Sequence, residues 1–492
     1  MPLPRFQPLW ERKASLFILL AASCGLLLLC LGARELWTQE HRWADIVSHM
    51  FYRHDFLHPW LNGQPYYDKP LLSYWLISGV VLLSGKLSVF ALRLPSAIAG
   101  LVAIGAMYQL GTHLRNRDTG LLASWMLLTT FYFLFWARTS SADMLNMAGI
   151  LCAVSWYFCR KNRPGFFTYL IFYLIVVFTS LCKGLIAPVV VGLVILPDLL
   201  MRGEWRQHCR GAVLLAAIPA LLLYFLPFVA SSQTGGATWQ GDGLGLVWRE
   251  NVVRYFQPFD HKGPIYTYLL YLPVYLLPWT LFFLPALFTF RKRLMSGAVL
   301  LIFVFLTLSG SRRNYYILPI VPFALLMTAD WILAEGRDSL RYRIASWLAP
   351  LSFVSLFLAL IILQPLYYQS RSLERFSATL RQQAEQIRPW SEWRIVLLDP
   401  QSKLRFYLGL PPDAPLHEIP GDDRAAMTTP RLKQAWPFLA TASPAQPVLY
   451  VSRHAFQTSL SGILGSHYRQ IGMTSRKPEP DQPVAFLPQD RL

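Results

Sequence analysis

The sequence has few charged residues, since Asp, Glu, Lys and Arg make up only 15% of its 492 residues. A soluble globular chain carries about 25% charged residues, so this composition argues against a soluble protein. The missing charges leave long uncharged runs, which are typical of membrane-spanning helices. Aromatic residues make up 14% of the chain, as expected where aromatic belts lie at the two faces of a bilayer.

Cysteine is also scarce, with six residues in the whole chain and none after residue 366. The polar segments 34–93 and 232–264 contain none either. Disulfide bonds and a cysteine-based zinc site are therefore excluded from these three regions.

The net charge is nevertheless +18. In a soluble protein this would suggest nucleic-acid binding, but the sequence shows no basic, aromatic-interleaved soluble domain. We therefore expect no nucleic-acid partner. Cytoplasmic loops of membrane proteins collect Lys and Arg, and that tendency accounts for the excess of positive charge.

Eleven apolar runs predict an all-α polytopic membrane protein with about eleven transmembrane helices. The first run follows basic residues without a convincing cleavage site, so we interpret it as a retained helix. A further stretch, 71–85, is short for a span and predicts a helix lying at the membrane interface. The eleven runs are 15–33, 94–112, 119–136, 143–159, 166–181, 184–201, 211–231, 265–290, 296–310, 315–333 and 344–366.

The distribution of positive charge predicts the orientation. The six segments that a cytoplasmic N-terminus places inside the cell hold 17 Lys and Arg residues, whereas the three short loops opposite hold four. The positive-inside rule therefore predicts a multi-pass protein of a bacterial inner membrane with its N-terminus in the cytoplasm. Residues 1–366 would form the transmembrane domain, with outer loops 34–93 and 232–264, and residues 367–492 a periplasmic domain.

The C-terminal region contains three short strand-like segments, Arg394–Leu398, Val448–Ser452 and Ala485–Leu487. Helical or turn-forming segments separate them, so we expect a small periplasmic α/β domain. It carries no catalytic motif, which favours a lid or an acceptor-recognition module.

Almost no charged residue lies deep inside a predicted span. Asp198 and Asp330 fall near predicted cytoplasmic ends. Ion-coupled transporters usually place ionisable groups midway through the membrane, so this pattern argues against transport. The charged residues concentrate on the outer face, as expected of an enzyme that acts on membrane-embedded substrates at the water boundary.

The first outer loop holds two distinctive segments. Residues 40–50 have an amphipathic pattern (Trp43, Ile46, Val47, Met50) that predicts an interfacial helix. An Asn62-Gly63 turn then precedes residues 66–70, which read Tyr-Tyr-Asp-Lys-Pro.

In these segments the sequence resembles the ArnT and protein-mannosyltransferase group of GT-C glycosyltransferases, membrane enzymes that take a sugar from a polyprenyl phosphate. Gln39 and Asp68 lie twenty-nine residues apart, the spacing of the corresponding elements in the aminoarabinose transferases that modify lipid A. Further elements that match in order are Asp143, Cys182-Lys183-Gly184, residues 250–256, residues 261–264 and residues 312–319.

The resemblance implies a GT-C-like fold and a polyprenyl-phosphate-dependent glycosyltransferase. The donor would be an undecaprenyl phosphate sugar and the acceptor lipid A or a related glycolipid on the periplasmic face. A protein O-mannosyltransferase-like enzyme is the alternative, followed by a transporter or a non-catalytic scaffold. The family's first-loop aspartate is Gln39 here, and an amide cannot act as a general base. The family also commonly has thirteen spans rather than eleven.

Asp143 is the first candidate for the catalytic base and Glu40 the second, because a carboxylate can accept the proton of an attacking hydroxyl. Asp143 would alternatively cap its helix. Lys69, Arg254 and Arg312 are the first candidates for binding the donor phosphate, followed by Lys183 and Tyr316. Anchoring of loops at lipid headgroups is the alternative role for these cations. Asp68 and His261 are candidate ligands of a divalent metal, the one cofactor considered. Asp68 would alternatively pair with Lys69 or an arginine, and His261 would alternatively be structural or exposed.

Overall fold

The computed structural model describes residues 8–234, 243–259, 261–289, 294–369, 371–419, 424, 428–441, 447–473 and 479–489. The chain divides into two compact units. Unit 1 comprises Met1–Gly32, Asp55–Pro59 and Pro65–Ile361, and unit 2 comprises Ala33–His54, Trp60–Gln64 and Ile362–Leu492. Part of the first outer loop thus clusters with the C-terminal region, whereas the sequence placed that loop in the transmembrane domain.

Unit 1 is built from α-helices, which are numbered here along the whole chain. They are α1 (Ser15–Leu28), α3 (Leu72–Ser84), α4 (Val89–Leu114), α5 (Arg117–Leu128), α6 (Phe131–Ala137), α7 (Ala142–Arg160), α8 (Phe166–Lys183), α9 (Ile186–Arg202), α10 (Gly211–Thr234), α11 (Gly243–Trp248), α12 (Arg254–Phe256), α13 (Thr267–Tyr275), α14 (Thr280–Thr289), α15 (Leu294–Leu308), α16 (Val321–Ala334) and α17 (Leu340–Leu358). A π-helical turn, Arg249–Val253, joins α11 to α12, and a 3-10 helix, Asn314–Ile320, precedes α16.

Each of the eleven predicted apolar runs contains helix in the described part of the chain. There, six helical segments are long and apolar enough to cross a membrane, and two bent pairs raise the number to eight. The pairs are α5–α6, bent by 70°, and α13–α14, bent by 115°. Helices α1, α9 and α15 are apolar but shorter. The prediction of a helical, multi-pass membrane protein is confirmed, and the count of eleven spans stays a prediction.

Small residues allow the helices of unit 1 to approach one another closely. Helix α4 packs against α5 and α7. A Cβ atom at Gly111 of α4 would lie 2.7 Å from the Cα atom of Gly120 in α5, so a larger residue would separate the two helices. Leu222 of α10 and Leu281 of α14 instead leave 68% and 82% of their surface exposed, as expected of side chains that face lipid.

Two short strands of the first outer loop, β1 (Trp60–Leu61) and β2 (Gln64–Pro65), pair with each other. Unit 2 contains a five-stranded sheet, whose strands are β3 (Arg394–Leu398), β4 (Leu416–His417), β5 (Val448–Arg453), β6 (Tyr468–Gly472) and β7 (Pro483–Pro488). The strand order is β4–β3–β5–β7–β6. Strands β4, β3 and β5 are parallel, and β7 is antiparallel to both β5 and β6. The helices of unit 2 are α2 (Glu40–Arg53), α18 (Gln364–Tyr368), α19 (Leu373–Glu385), α20 (Leu404–Leu408), α21 (Thr429–Ala435) and α22 (Gln457–Leu464). The strands predicted near 394, 448 and 485 are present, and β4 and β6 were not predicted.

Both faces of this sheet are covered by apolar residues. Along β3, Ile395 and Leu397 pack in a cluster with residues of α19 and α20. The alternate residues Val396 and Leu398 pack in a second cluster with residues of α21 and α22. Because successive side chains of a strand point to opposite faces, an uninterrupted apolar strand such as β3 requires a covering layer on each side.

The first-loop helix α2 is held within unit 2 by polar contacts. The Arg405 guanidinium pairs with the Asp45 carboxylate at 3.2 Å, and the Leu36 N–H donates to the Tyr407 hydroxyl at 2.9 Å. Residues predicted to form the lipid-facing side of an interfacial helix, including Val47 and Met50, are buried in the protein. The amphipathic pattern therefore indicated the helix correctly, and its position at the membrane interface stays a prediction.

Candidate functional site

A cavity of about 350 Å³ lies in unit 1. Its charged lining comes from the loop before α3, the end of α8, the π-helical turn and the start of α12, which supply Asp68, Lys69, Lys183, Glu250 and Arg254. Its apolar walls come mainly from α9, α12 and α15 and include Ile186, Val189, Phe256, Phe305 and Leu306. The cavity therefore combines three cationic side chains with an apolar interior.

Lys69 reaches the cavity from the loop that leads into α3. Its ammonium lies 3.2 Å from the Asp68 carboxylate, which also accepts a hydrogen bond of 3.0 Å from the Tyr66 hydroxyl. Burial raises the pKa of Asp68, but Lys69, the Tyr66 hydroxyl and Arg254 together outweigh that effect and hold the pKa below its usual value. Asp68 is therefore an ionised partner that keeps the Lys69 ammonium at the cavity.

Lys183 is the last residue of α8, and its ammonium forms an ion pair with the Asp143 carboxylate at the start of α7. The same ammonium lies 4.8 Å from the centre of the Tyr316 ring, which also lines the cavity. Ser141 caps α7 by accepting the Asp143 N–H at 3.0 Å, and its hydroxyl donates to the Asp143 carboxylate at 2.8 Å. Asp143 is therefore not the helix cap but a carboxylate oriented toward Lys183.

The residues after Lys183 form a corner between α8 and α9. Gly184 adopts a φ of +107°, and a Cβ atom there would lie 2.5 Å from the Asn251 amide oxygen. That oxygen accepts the Leu185 N–H at 2.7 Å, and the Asn251 amide nitrogen donates to the Val247 carbonyl at 2.8 Å. Glycine is required at this corner both for its backbone conformation and for the close approach of Asn251.

Arg254 reaches the cavity from the residue that follows the π-helical turn. Its guanidinium forms an ion pair with Glu250, which also accepts from Arg249 at 3.0 Å. Both guanidinium groups approach the Phe259 ring, at 5.2 Å for Arg249 and 5.1 Å for Arg254. This pairing orders Arg254 before any ligand is bound.

Arg312, predicted to bind phosphate, donates hydrogen bonds to main-chain carbonyls in the structure. Its guanidinium donates to the Gly263 carbonyl at 2.6 Å and to the Thr307 carbonyl at 3.0 and 3.1 Å. Arg312 is absent from the described lining of the cavity. Its hydrogen bonds hold the segment 261–264 against the end of α15, and its phosphate-binding role stays a prediction.

The predicted metal ligands Asp68 and His261 also have other partners. Asp68 pairs with Lys69 and Tyr66, as described above, and the His261 ring lies 2.9 Å from the Arg313 guanidinium. Over the described ranges, no group of three or more His, Cys, Asp or Glu residues is arranged to hold a metal ion. The metal site at Asp68 and His261 therefore stays a prediction.

Glu40, the second candidate base, belongs to unit 2 and is fully buried there. Its carboxylate accepts the Trp37 N–H at 2.6 Å and lies 3.5 Å from the Arg34 guanidinium. It thereby accepts a main-chain N–H three residues before it, at the entry to α2, a structural role that acidic residues often have at helix N-termini.

Three residues that shape the site had no predicted role: Ser141, Glu250 and Asn251. Ser141 precedes α7 in a Ser-x-Asp pattern that is typical of a helix cap. Glu250 and Arg254 are four residues apart, a spacing that predicts an ion pair on a helix. The contact between Asn251 and Leu185 joins positions 66 residues apart, and no local pattern indicates it.

These features define a polytopic, α-helical membrane protein with a cation-lined cavity. Comparison of the fold with solved structures identifies its class. ArnT from Cupriavidus metallidurans bound to undecaprenyl phosphate superimposes with a TM-score of 0.72 at 17% identity, covering 96% of this chain and 98% of that one. An Archaeoglobus fulgidus oligosaccharyltransferase superimposes with a TM-score of 0.53 at 12% identity, covering 94% of this chain and 73% of that one. The chain thus has an ArnT-like fold.

Sequence comparisons agree with this class. Residues 68–230 match the family described as dolichyl-phosphate-mannose-protein mannosyltransferase. The undecaprenyl phosphate-alpha-4-amino-4-deoxy-L-arabinose arabinosyl transferase 1 of Pseudomonas fluorescens is 28% identical over 360 residues, which cover 67% of this chain and 62% of that protein. The corresponding Yersinia enterocolitica transferase is 28% identical over 61% of this chain and 56% of that protein. The chain thus matches about three fifths of the length of these relatives. The resemblance to the ArnT and mannosyltransferase group is confirmed.

Proposed function

We propose that this protein is a glycosyltransferase that moves a sugar from a polyprenyl phosphate to lipid A or a related glycolipid. The observation that carries the proposal is the convergence of Lys69, Lys183 and Arg254 on one apolar-walled cavity. The relatives named above are undecaprenyl phosphate aminoarabinose transferases, which supports this donor class.

The cavity suits the leaving group of such a reaction. When the bond between the anomeric carbon and the donor phosphate breaks, the departing polyprenyl phosphate gains negative charge. Cationic groups already positioned around it stabilise that charge in the transition state. Arg254 can donate two hydrogen bonds to phosphate oxygens, whereas Lys69 and Lys183 supply compact positive charges. The apolar walls formed by α9 and α15 suit the first units of the prenyl chain.

We assign to Asp143 the role of the base that accepts a proton from the acceptor hydroxyl. An attacking hydroxyl must lose a proton, and a carboxylate within hydrogen-bond reach can accept it. A phosphate acceptor is already an anion and needs no base, so Asp143 would then act by holding Lys183. In either reaction the new bond joins the acceptor oxygen to the anomeric carbon, and the polyprenyl phosphate leaves.

A protein acceptor is the second candidate. It is favoured by the match of residues 68–230 to the dolichyl-phosphate-mannose-protein mannosyltransferase family, because that region contains Lys69, Asp143 and Lys183. Such an enzyme would keep the polyprenyl-phosphate donor and modify a Ser or Thr hydroxyl, for which the base Asp143 would be essential.

The proposal also specifies the topology: eleven spans in the inner membrane, a cytoplasmic N-terminus, a transmembrane domain of residues 1–366 and a periplasmic domain of residues 367–492. The alternation of Lys and Arg between the two sides supports it. A phosphatase reporter fused after Leu492 should be active, and a reporter that fluoresces only in the cytoplasm should be dark. The reverse result would place the C-terminus inside the cell.

Mass spectrometry of lipid A and total glycolipids from wild-type and deletion cells tests the acceptor. A sugar-sized mass present only in wild type is expected on lipid A or a related glycolipid, and its appearance on periplasmic peptides would favour the protein acceptor. Purified protein given polyprenyl-phosphate sugars provides the second test. Transfer to no acceptor would favour a scaffold, and lipid movement across liposomes without transfer would favour a transporter.

A further inference from the structure

The corner between α8 and α9 is connected to every cationic residue of the cavity. Lys183 belongs to the corner itself. The Ser73 hydroxyl of α3, one turn after Lys69, donates to the Cys182 carbonyl at 3.2 Å. Asn251, three residues before Arg254, accepts the Leu185 N–H at 2.7 Å. Three segments that are distant in the sequence thus meet at residues 182–185.

The hydrogen bond between the Leu185 N–H and the Asn251 side chain is not one that an ordinary helix end makes. The N–H of Leu185 lies in the break between two helices, where main-chain acceptors are missing. Asn251 supplies that acceptor from the π-helical turn, and its amide nitrogen is fixed by the Val247 carbonyl at 2.8 Å. Both ends of the amide are bonded, so its orientation is set. The absent side chain of Gly184 provides the space in which it lies.

The π-helical turn explains how Asn251 and Arg254 serve different partners. Turns of this kind insert one extra residue into a helix and occur frequently at functional sites. Here the turn directs Asn251 to the corner, while Glu250 and Arg254 form an ion pair at the cavity. A shift of Asn251 would therefore move Arg254 relative to Lys183.

We propose that Asn251 is a positioning residue, which fixes Arg254 and Lys183 at the separation needed to bind one phosphate group. Asn251 and Leu185 both line the cavity, and the positioning role belongs to the hydrogen bond between them. The proposal rests on the proposed function, because it assumes that the cavity binds a polyprenyl phosphate. It predicts that donor binding depends on this hydrogen bond in the cavity wall, which the coupling between Asn251 and Gly184 separates from a direct contact of Asn251 with the donor.

The test measures binding of undecaprenyl phosphate to the purified full-length protein by native mass spectrometry, together with kcat and KM for transfer. Asn251→Ala should weaken binding about tenfold or more, because small displacements of positioned groups have large effects. KM for the donor should rise with it. Asn116→Ala is the matched control, because Asn116 caps α5 by accepting the Thr119 N–H at 2.9 Å and does not line the cavity.

A second variant, Gly184→Ala, perturbs the same contact between Asn251 and the corner, but from the side of the corner. The added methyl group would press on the Asn251 amide, and its φ of +107° is unfavourable for alanine. In wild type this change should weaken undecaprenyl phosphate binding. In the Asn251→Ala background the clash is absent, so the same change should have a smaller effect. This coupling is measurable even when one single variant is obtained in low yield.

Two results would overturn the proposal. One is wild-type undecaprenyl phosphate affinity in Asn251→Ala, with a melting temperature lowered as in Asn116→Ala, because Asn251 would then be structural only. The other is additive effects of Gly184→Ala and Asn251→Ala. Failure of the proposed function looks different, since the wild-type protein itself would not bind undecaprenyl phosphate.

Discussion

A Lys–Asp ion pair lies at each end of α7, but the surroundings of the two pairs differ. At its start, Asp143 forms an ion pair with Lys183, the last residue of α8. Just beyond its end, Lys161 forms an ion pair with Asp198 of α9. The side chains of the first pair each leave 12% of their surface exposed. Those of the second leave 5% and 3% exposed.

The difference between these pairs lies in what surrounds them. Lys183 lines the cavity together with Lys69 and Arg254, whereas the described lining includes neither Lys161 nor Asp198. A buried ion pair alone is weak evidence for either stability or function, because desolvation offsets the attraction between its charges. A functional role for Asp143 therefore depends on the cavity beside Lys183, and the pair at the other end of α7 provides its natural control.

Replacing Asp143 should have the largest effect on transfer. Asp143→Asn removes a base and releases Lys183, while Ser141 continues to cap α7. With a hydroxyl acceptor, we expect the transfer rate to fall by a factor of about 100 to 10,000, the usual contribution of a general base. The assay is sugar transfer per molecule of folded protein. A wild-type rate would exclude acid-base catalysis by Asp143.

Replacing Lys69 should have the next largest effect. Lys69→Ala removes one positive charge from the donor phosphate, a loss of about 2–4 kcal/mol in the transition state. Transfer should therefore fall by a factor of about 30 to 1,000 at normal expression. Lys86→Ala, which removes an exposed lysine after α3, is the matched control. If both variants transfer equally well, Lys69 is a headgroup anchor.

Glu40→Gln should have a smaller effect on transfer than Asp143→Asn. The amide oxygen of glutamine can still accept the Trp37 N–H, although the ion pair with Arg34 is lost. Sugar-transfer assays of the two variants in parallel, together with their melting temperatures, test this order of effects. A larger loss in Glu40→Gln than in Asp143→Asn, without a loss of stability, would make Glu40 the principal base.

Asp198→Asn should have the smallest effect on transfer. It leaves the Lys161 charge buried without its partner, which destabilises a protein by about 3–5 kcal/mol. We expect a lower melting temperature and less folded protein, with an unchanged rate per folded molecule. A lower rate per folded molecule would show that both ends of α7 contribute to the reaction, and the contrast between the two pairs would be lost.

The helical part of the fold could be predicted because membrane helices show long apolar runs in any sequence. The bends could not, since the break between α5 and α6 lies inside one uninterrupted run, 119–136. Strand β6 was missed because it is only five residues long and its sequence, Tyr-Arg-Gln-Ile-Gly, does not alternate apolar and polar residues. The membership of α2 in unit 2 depends on contacts such as Arg405 with Asp45, which are 360 residues apart.

The site was predicted in part for the same physical reasons. Lys69 and Lys183 lie in short local motifs, and the structure places both at the cavity. Arg254 and Arg312 looked equivalent in sequence, yet one pairs with a carboxylate at the cavity and the other binds main-chain carbonyls. The partner of an arginine depends on tertiary packing, which residue type and loop position do not specify.

The π-helical turn at Arg249–Val253 also has a genetic consequence. Each residue of a helix advances the chain by about 100°, because an α-helix has 3.6 residues per turn. Loss of a single codon in this turn would restore a regular α-helix and rotate Arg249 relative to Arg254 by about that angle. The reading frame and the membrane helices would remain intact. A one-residue deletion could thus abolish the function of the cavity in a protein that still folds and inserts into the membrane.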